Sequence, residues 1–149
     1  MKRIDILALA LLFVGGVAAP GMAAVGNFSL AAVPSDAEIA LGEAYTLDVR
    51  VASGVAGIEA WAFGLCVDAA LQEILAARPG DNFNTLRLGG PPEWWAINVH
   101  AGGVTQGVML DTRAAAALGV IPESDPLSIL KVDLRPTEAA ADKVVKVAF

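Results

Sequence analysis

Tyr45-Thr46-Leu47-Asp48-Val49-Arg50-Val51-Ala52 decides the fold class of this chain. Tyr45, Leu47, Val49 and Val51 alternate with Thr46, Asp48, Arg50 and Ala52, a period of two with one dry and one wet face. Side chains on a strand point alternately to opposite faces, so the pattern predicts a half-buried antiparallel strand. Gly42-Glu43 leads into it and glycines at 54 and 57 interrupt it on the far side.

Downstream, Ile58-Glu59-Ala60-Trp61-Ala62-Phe63-Gly64-Leu65-Cys66-Val67 resumes the alternation. Trp61, Phe63, Leu65 and Val67 share one face, and the small Ala60, Ala62, Gly64 and Cys66 share the other. Bulk on one side suits a central sandwich strand, with its small side flat or closely covered. Burying Trp61 and Phe63 would stabilise by about 2 to 3 kcal/mol each. Residues 68–80 admit two readings: Leu71, Ile74 and Leu75 have helical spacing, but one turn at Ala69-Ala70 leading into a strand from Gln72 fits the all-strand surroundings better.

Residues 79–92 are rich in Pro, Gly, Asp and Asn and read as a loop, with a short strand at 85–88 inside it. Strands follow at 94–99 and 104–112, with Val104, Gln106, Val108 and Leu110 on one face. A helical turn is expected at 114–118, then strands at 128–134 and 143–149; upstream, residues 28–33 make another, closed by Pro34-Ser35-Asp36. Seven to nine short strands at turn-punctuated intervals predict an all-β, antiparallel β-sandwich.

Lys2 and Arg3, an apolar run over residues 6–19 and small residues around Pro20-Gly21-Met22-Ala23-Ala24 have the layout of a secretory signal. Residues 1–24 are therefore expected to be a signal peptide cleaved after Ala23 or Ala24, and residues 25–149 one domain. The competing reading is a retained anchor, since no charge occurs between Asp5 and Asp36. Gly15-Gly16 and Pro20 interrupt that run before the roughly 20 apolar residues a spanning helix needs. Localisation is expected to be periplasmic, cell-surface or extracellular.

The net charge of −6 becomes −7 without Lys2, Arg3 and Asp5. Repulsion from phosphate backbones makes nucleic acid a poor partner and disfavours anionic lipid heads. Cys66 is the only cysteine, so no intramolecular disulfide forms, and its apolar stretch predicts a buried small hydrophobe. His100 is the only histidine. Nothing orients it as a base for Cys66, so no catalytic residues and no enzyme are expected. No cofactor is expected, and no metal: His/Cys clusters are missing, and Asp81-Asn82-Phe83-Asn84 offers calcium-type oxygens without a full loop.

Pro91-Pro92-Glu93-Trp94-Trp95 supplies the candidate ligand-binding residues, Glu93, Trp94 and Trp95. Adjacent tryptophans on a strand face opposite ways, so one indole can face outward beside a carboxylate and contact a sugar or a protein. In the competing arrangement the core covers one indole and the proline-rich loop the other, the commoner fate of such side chains.

The order of segments, a strand Tyr-Thr-Leu-Asp-Val-Arg-Val after Gly42, a glycine-led strand at 57–67 ending in Asp68, Leu71, Gly80-Asp81, Gly107-Val108-Met109-Leu110 and the strand at 127–134, resembles the cohesin family over residues 37–149. The resemblance implies a nine-stranded jelly-roll sandwich related to carbohydrate-binding modules, here ending about one strand early. It implies a non-catalytic exported module that binds a protein or polysaccharide, or else a structural, self-associating domain of a larger surface protein. Leu65-Cys66-Val67 departs from the family pattern, where an aromatic usually precedes the aspartate.

Overall fold

The alternation at the opening strand is realised in full: Tyr45, Leu47, Val49, Val51 and Ser53 are buried, and Arg50 is exposed. The computed structural model describes residues 3–8, 28–36, 38–53, 58–111, 121, 125–141 and 145–149. Its strands are β1 (Arg3–Ala8), β2 (Phe28–Pro34), β3 (Glu38–Ala40), β4 (Tyr45–Ser53), β5 (Ala60–Val67), β6 (Gln72–Pro79), β7 (Trp94–His100), β8 (Gly103–Met109), β9 (Leu127–Pro136) and β10 (Val145–Ala148). They form two sheets, in the orders β3-β1-β10-β5-β8-β7 and β2-β4-β9-β6. Every pairing is antiparallel except that of β1 with β10. The all-β sandwich expectation holds.

One apolar core fills the space between the sheets. Leu47, Val49 and Val51 from β4 and Leu130, Val132 and Leu134 from β9 meet Leu65, Val104 and Val108 from the other sheet, none more than 2% exposed. Each such side chain stabilises by about 1.5 to 3 kcal/mol. Polar groups are buried with them, among them Gln72 and Gln106. Tyr45 donates its hydroxyl hydrogen bond to Gln72 Oε1, and burial pushes the Tyr45 pKa up. Gln106, 1% exposed, spans the two sheets: its Oε1 accepts from Trp61 Nε1 at 3.1 Å and its Nε2 donates to the Ile129 carbonyl at 2.9 Å.

That carbonyl is available because β9 is bulged. Val49 lies opposite Leu130 and Arg50 opposite Ser128, so Ile129 has no partner residue on β4. An unpaired residue at a bulge is locally released from the ladder, and Gln106 takes it up. Beside the bulge, Gly80 approaches β9 so closely that an added Cβ would lie 2.5 Å from the Ser128 carbonyl carbon.

Residues 68–80 adopt the turn-and-strand reading. The Asp68 carboxylate accepts from Ala70 N–H at 2.9 Å, and the Asp68 carbonyl accepts from Leu71 and Gln72 before β6 begins. The strand expected at 85–88 does not form. Asn82–Leu86 closes a 3₁₀ turn over Phe83–Thr85, and Arg87 and Gly90 then exchange backbone hydrogen bonds around Leu88-Gly89. Both central residues have positive φ, 46° and 82°, the signature of a type I′ turn, which Gly89 adopts freely and Leu88 only under strain. Two apolar side chains anchor this segment in the core, Phe83, fully buried, and Leu86, 8% exposed.

The expected helical turn at 114–118 and residues 9–24 of the expected leader lie outside the described residues. Arg3–Ala8 pairs in parallel with β10 and antiparallel with β3. Among the described residues no helix is long and apolar enough to cross a membrane.

Candidate binding face

Three neighbouring strands, β5, β8 and β7, lay their outward side chains in four rows: Ala60-Met109-Trp94, Ala62-Gly107-Ala96, Gly64-Thr105-Asn98 and Cys66-Gly103-His100. Strand spacing and rise make this grid of twelve positions roughly 10 Å across and 20 Å along the strands. No aspartate, glutamate, lysine or arginine occurs in it. Trp94 is 54% exposed and Met109 40% exposed. Gly103 and Gly107 in the central column are required by close approaches. A Cβ on Gly103 would lie 2.3 Å from the Leu65 carbonyl oxygen, and one on Gly107 would lie 3.3 Å from Trp94 Cζ3. The Trp94 indole thus rests on the bare backbone at Gly107, a flat aromatic plate at one end of a flat sheet.

Trp95, one residue on, faces the other way. Its ring meets that of Phe83 edge to face, with centroids 5.4 Å apart and planes at 77°. It remains 45% exposed and Trp94 54%, so the arrangement in which both indoles are covered is not adopted: the 3₁₀ turn under Trp95 covers only part of it. Glu93 is exposed and precedes β7; its backbone N–H donates to the Leu110 carbonyl at 3.1 Å. Of the three candidate residues, Trp94 alone belongs to the flat face.

Cys66 corrects an expectation: it is exposed, not buried. The alternation sorts it with Ala60, Ala62 and Gly64, as expected, but that face is bare. His100 also ends on this face, separated from Cys66 by Gly103. Two strand spacings are about 10 Å, too far for an imidazole to hydrogen-bond a thiol. Among the described residues no group of three or more His, Cys, Asp or Glu is arranged to hold a metal. The oxygens with calcium-type spacing are engaged structurally: Asp81 pairs with Lys131 Nζ at 2.6 Å, and Asn82 Oδ1 accepts from Ser128 N–H at 2.9 Å.

The opposite outer face, on β4, β9 and β6, has the reverse character. Asp48 accepts from Arg50 Nε at 2.7 Å and from Ser128 Oγ at 2.5 Å, and Arg135 reaches Glu73 at 2.6 Å. Asp133 accepts from Thr46 Oγ1 at 2.7 Å and pairs with Arg78. Partial burial acts to raise the Asp133 pKa, but the Thr46 and Arg78 hydrogen bonds and the Arg78 and Lys131 charges outweigh it and hold the carboxyl below its ordinary value. A depressed carboxylate stabilises the fold above the unfolded-state pKa, and the contribution disappears as pH falls through the folded value. Asp133→Asn is therefore expected to lower the melting temperature at neutral pH, with the gap from the parent closing on acidification. A gap that stays constant with pH would contradict this.

No family model matches the chain, and no curated protein matches it either. Among solved structures, the third cohesin of ScaC from Acetivibrio cellulolyticus, in complex with the ScaB dockerin, superposes with a TM-score of 0.50 at 10% identity. The fold is cohesin-like. The match covers 66% of this chain and 64% of that one, so this chain spans less than two thirds of the cohesin it resembles.

Met109 and the alanines of β5 were missed as site residues by sequence reasoning. The signal for the flat face was present in the small side of residues 60–66. What was missing was the order of strands, which places β8 between β5 and β7 and sums three narrow strips into one surface.

Proposed function

We propose that this chain is an exported, non-catalytic binding module that docks a protein partner on the outer face of β5, β8 and β7. The observation that carries the reading is the contrast between the two outer faces. One is laced with ion pairs; the other is flat and free of aspartate, glutamate, lysine and arginine, with Trp94 and Met109 exposed. Exposed aromatic and methionine side chains on a surface depleted of charge have the composition of an interface centre. The cohesin-like fold supports the same reading, since the similar cohesin was solved with a dockerin bound. Residues 1–24 act as the leader in this proposal, and their removal takes β1 with them, leaving β10 paired to β5. N-terminal sequencing of the exported product tests that part: a start at Ala24 or Val25 supports it, and an intact Met1 opposes it.

Binding is tested by titrating the purified chain against secreted proteins of the same cells and measuring Kd for variants. Trp94→Ala and Met109→Lys are expected to weaken binding at least tenfold, the scale of an interfacial hot spot. Glu73→Gln, on the opposite face, is expected to leave it unchanged. Unchanged affinity in Trp94→Ala would remove this face from the account. A second reading, polysaccharide binding, is favoured by the flat, exposed Trp94 ring, which suits stacking on a sugar. A glycan array with Trp94→Ala as control distinguishes the two.

A further inference from the structure

β7 is the last strand of its sheet: it pairs with β8 on one side and with no described strand on the other. Its ladder fixes which main-chain groups face outward. Glu93 N–H donates to the Leu110 carbonyl, so Trp95, Ile97 and Val99, in step with Glu93, exchange hydrogen bonds with β8. The N–H and C=O groups of Trp94, Ala96, Asn98 and His100 therefore point away from the sheet, and no described backbone group engages them. Both connections of β7, residues 80–93 and 101–102, are described, and the undescribed segments attach to other elements. In the whole chain five of its seven residues are exposed, Trp95 at 45% and Val99 at 51% among them.

Native sheets blunt their edges with charge, proline, bulges or brevity. β3 is three residues long and begins with Glu38; β6 carries Glu73 and Arg78, is irregular between Ile74 and Ala76 and closes on Pro79. β7, Trp-Trp-Ala-Ile-Asn-Val-His, has no acidic residue, lysine, arginine or proline, and its register with β8 is unbroken.

We propose that two copies of this chain join edge to edge through β7, antiparallel about a twofold axis at Ile97, so that their β5-β8-β7 faces become one continuous surface. Outward groups meet outward groups in this register: Trp94 pairs with His100 of the second copy and Ala96 with its Asn98, each pair occurring twice by symmetry. Trp95 lies opposite Val99 of the second copy at a non-hydrogen-bonded position, where cross-strand side chains come closest. An aromatic facing a β-branched residue is a favourable pair, and the twofold axis makes it twice. Moving the axis to Asn98 would set Trp95 against Ala101 and lose both contacts. This self-complementarity selects a second copy as the occupant, since one strand supplies both the indole and the residue that covers it. The Phe83 ring holds Trp95 edge to face, so little side-chain freedom is lost on pairing. With no aspartate, glutamate, lysine or arginine on β7, no like charges meet across the joint, although each chain carries a net charge of −6. β7 also belongs to the docking face, but the joint uses its main-chain edge and the Trp95 side, and does not rest on the reading above.

The test is sedimentation of the full chain over a concentration series, with hydrogen–deuterium exchange at the lowest and highest concentrations. Expected is a reversible monomer–dimer equilibrium. In the dimer the amides of Trp94, Ala96, Asn98 and His100 should exchange at least tenfold more slowly, while those of Trp95, Ile97 and Val99 are slow in both states. Asn98→Pro removes an outward N–H that β8 does not use, a position where an edge strand tolerates proline. Val99→Lys sets a charge against Trp95 of the second copy. Each should weaken dimerisation at least tenfold, and Phe28→Asp, on the β2 edge of the other sheet and 38% exposed, should leave it unchanged. A chain that stays monomeric, or a dimer in which the outward β7 amides still exchange fast, would overturn the proposal. So would a dimer lost in Phe28→Asp and kept in Val99→Lys, which would move the association to β2. The parent's exchange map decides the matter even where a variant does not fold.

Discussion

Gln106→Leu is expected to destabilise the domain by about 3 kcal/mol, although it exchanges a buried polar side chain for an apolar one of similar volume. The glutamine is the polar link between the sheets described above: it accepts from the Trp61 indole and donates to the Ile129 carbonyl. Leucine leaves both groups unpaired, and each orphaned buried group costs about 1 to 3 kcal/mol. The gain from burying leucine in a site shaped for an amide offsets only part of that. For a domain of this size the melting temperature should fall by roughly 10 °C, read by circular dichroism. The alternative is that water reaches the Ile129 carbonyl and satisfies it; a loss below 1 kcal/mol would show this.

Gly80→Ala is expected to cost a similar amount, about 3 kcal/mol, by overpacking. The added methyl would lie 2.5 Å from Ser128 Oγ and 2.6 Å from the Ile129 nitrogen. Two of its three nearest neighbours are main-chain atoms of β9, which cannot rotate away. Relief requires lifting the 80–86 segment, which breaks the Asp81 N–H bond to Ser128 Oγ at 3.1 Å and draws Phe83 from its socket. Because Phe83 is the ring under Trp95, tryptophan fluorescence should change together with stability. Stability loss with an unaltered emission spectrum would mean that the segment stays seated and the strain is absorbed elsewhere.

Much of the sandwich was legible because its strands have unequal faces. Tyr45–Ser53 and Gly103–Met109 declare their inward sides by alternation, and the sequence even placed Gln106 on the apolar side of its strand. Why a polar residue sits there was not legible, since its partners, Trp61 and Ile129, come from two other strands and a bulge. The turn before β6 was readable only from its all-strand surroundings; the Asp68 side chain, which accepts from Ala70 N–H and caps the reversal, is what the structure adds. The 85–88 segment was misread because one buried aromatic, Phe83, overrides the local pattern. Cys66 was misread for another reason: alternation states which residues share a face, not whether anything covers it.

The unlike outer walls of this sandwich give it a two-sided response to the ionic medium. Added salt screens exposed ion pairs over a Debye length of about 8 Å at physiological strength and less above it. The lattice of Arg78, Asp133, Glu73 and Arg135 should therefore loosen. Sulfate and phosphate strengthen apolar association by exclusion from protein surfaces, so contacts made by the Trp94 and Met109 side should tighten in the same buffer. Chloride and sulfate at matched ionic strength would separate the two responses, one wall following screening alone and the other following the Hofmeister order of the anion.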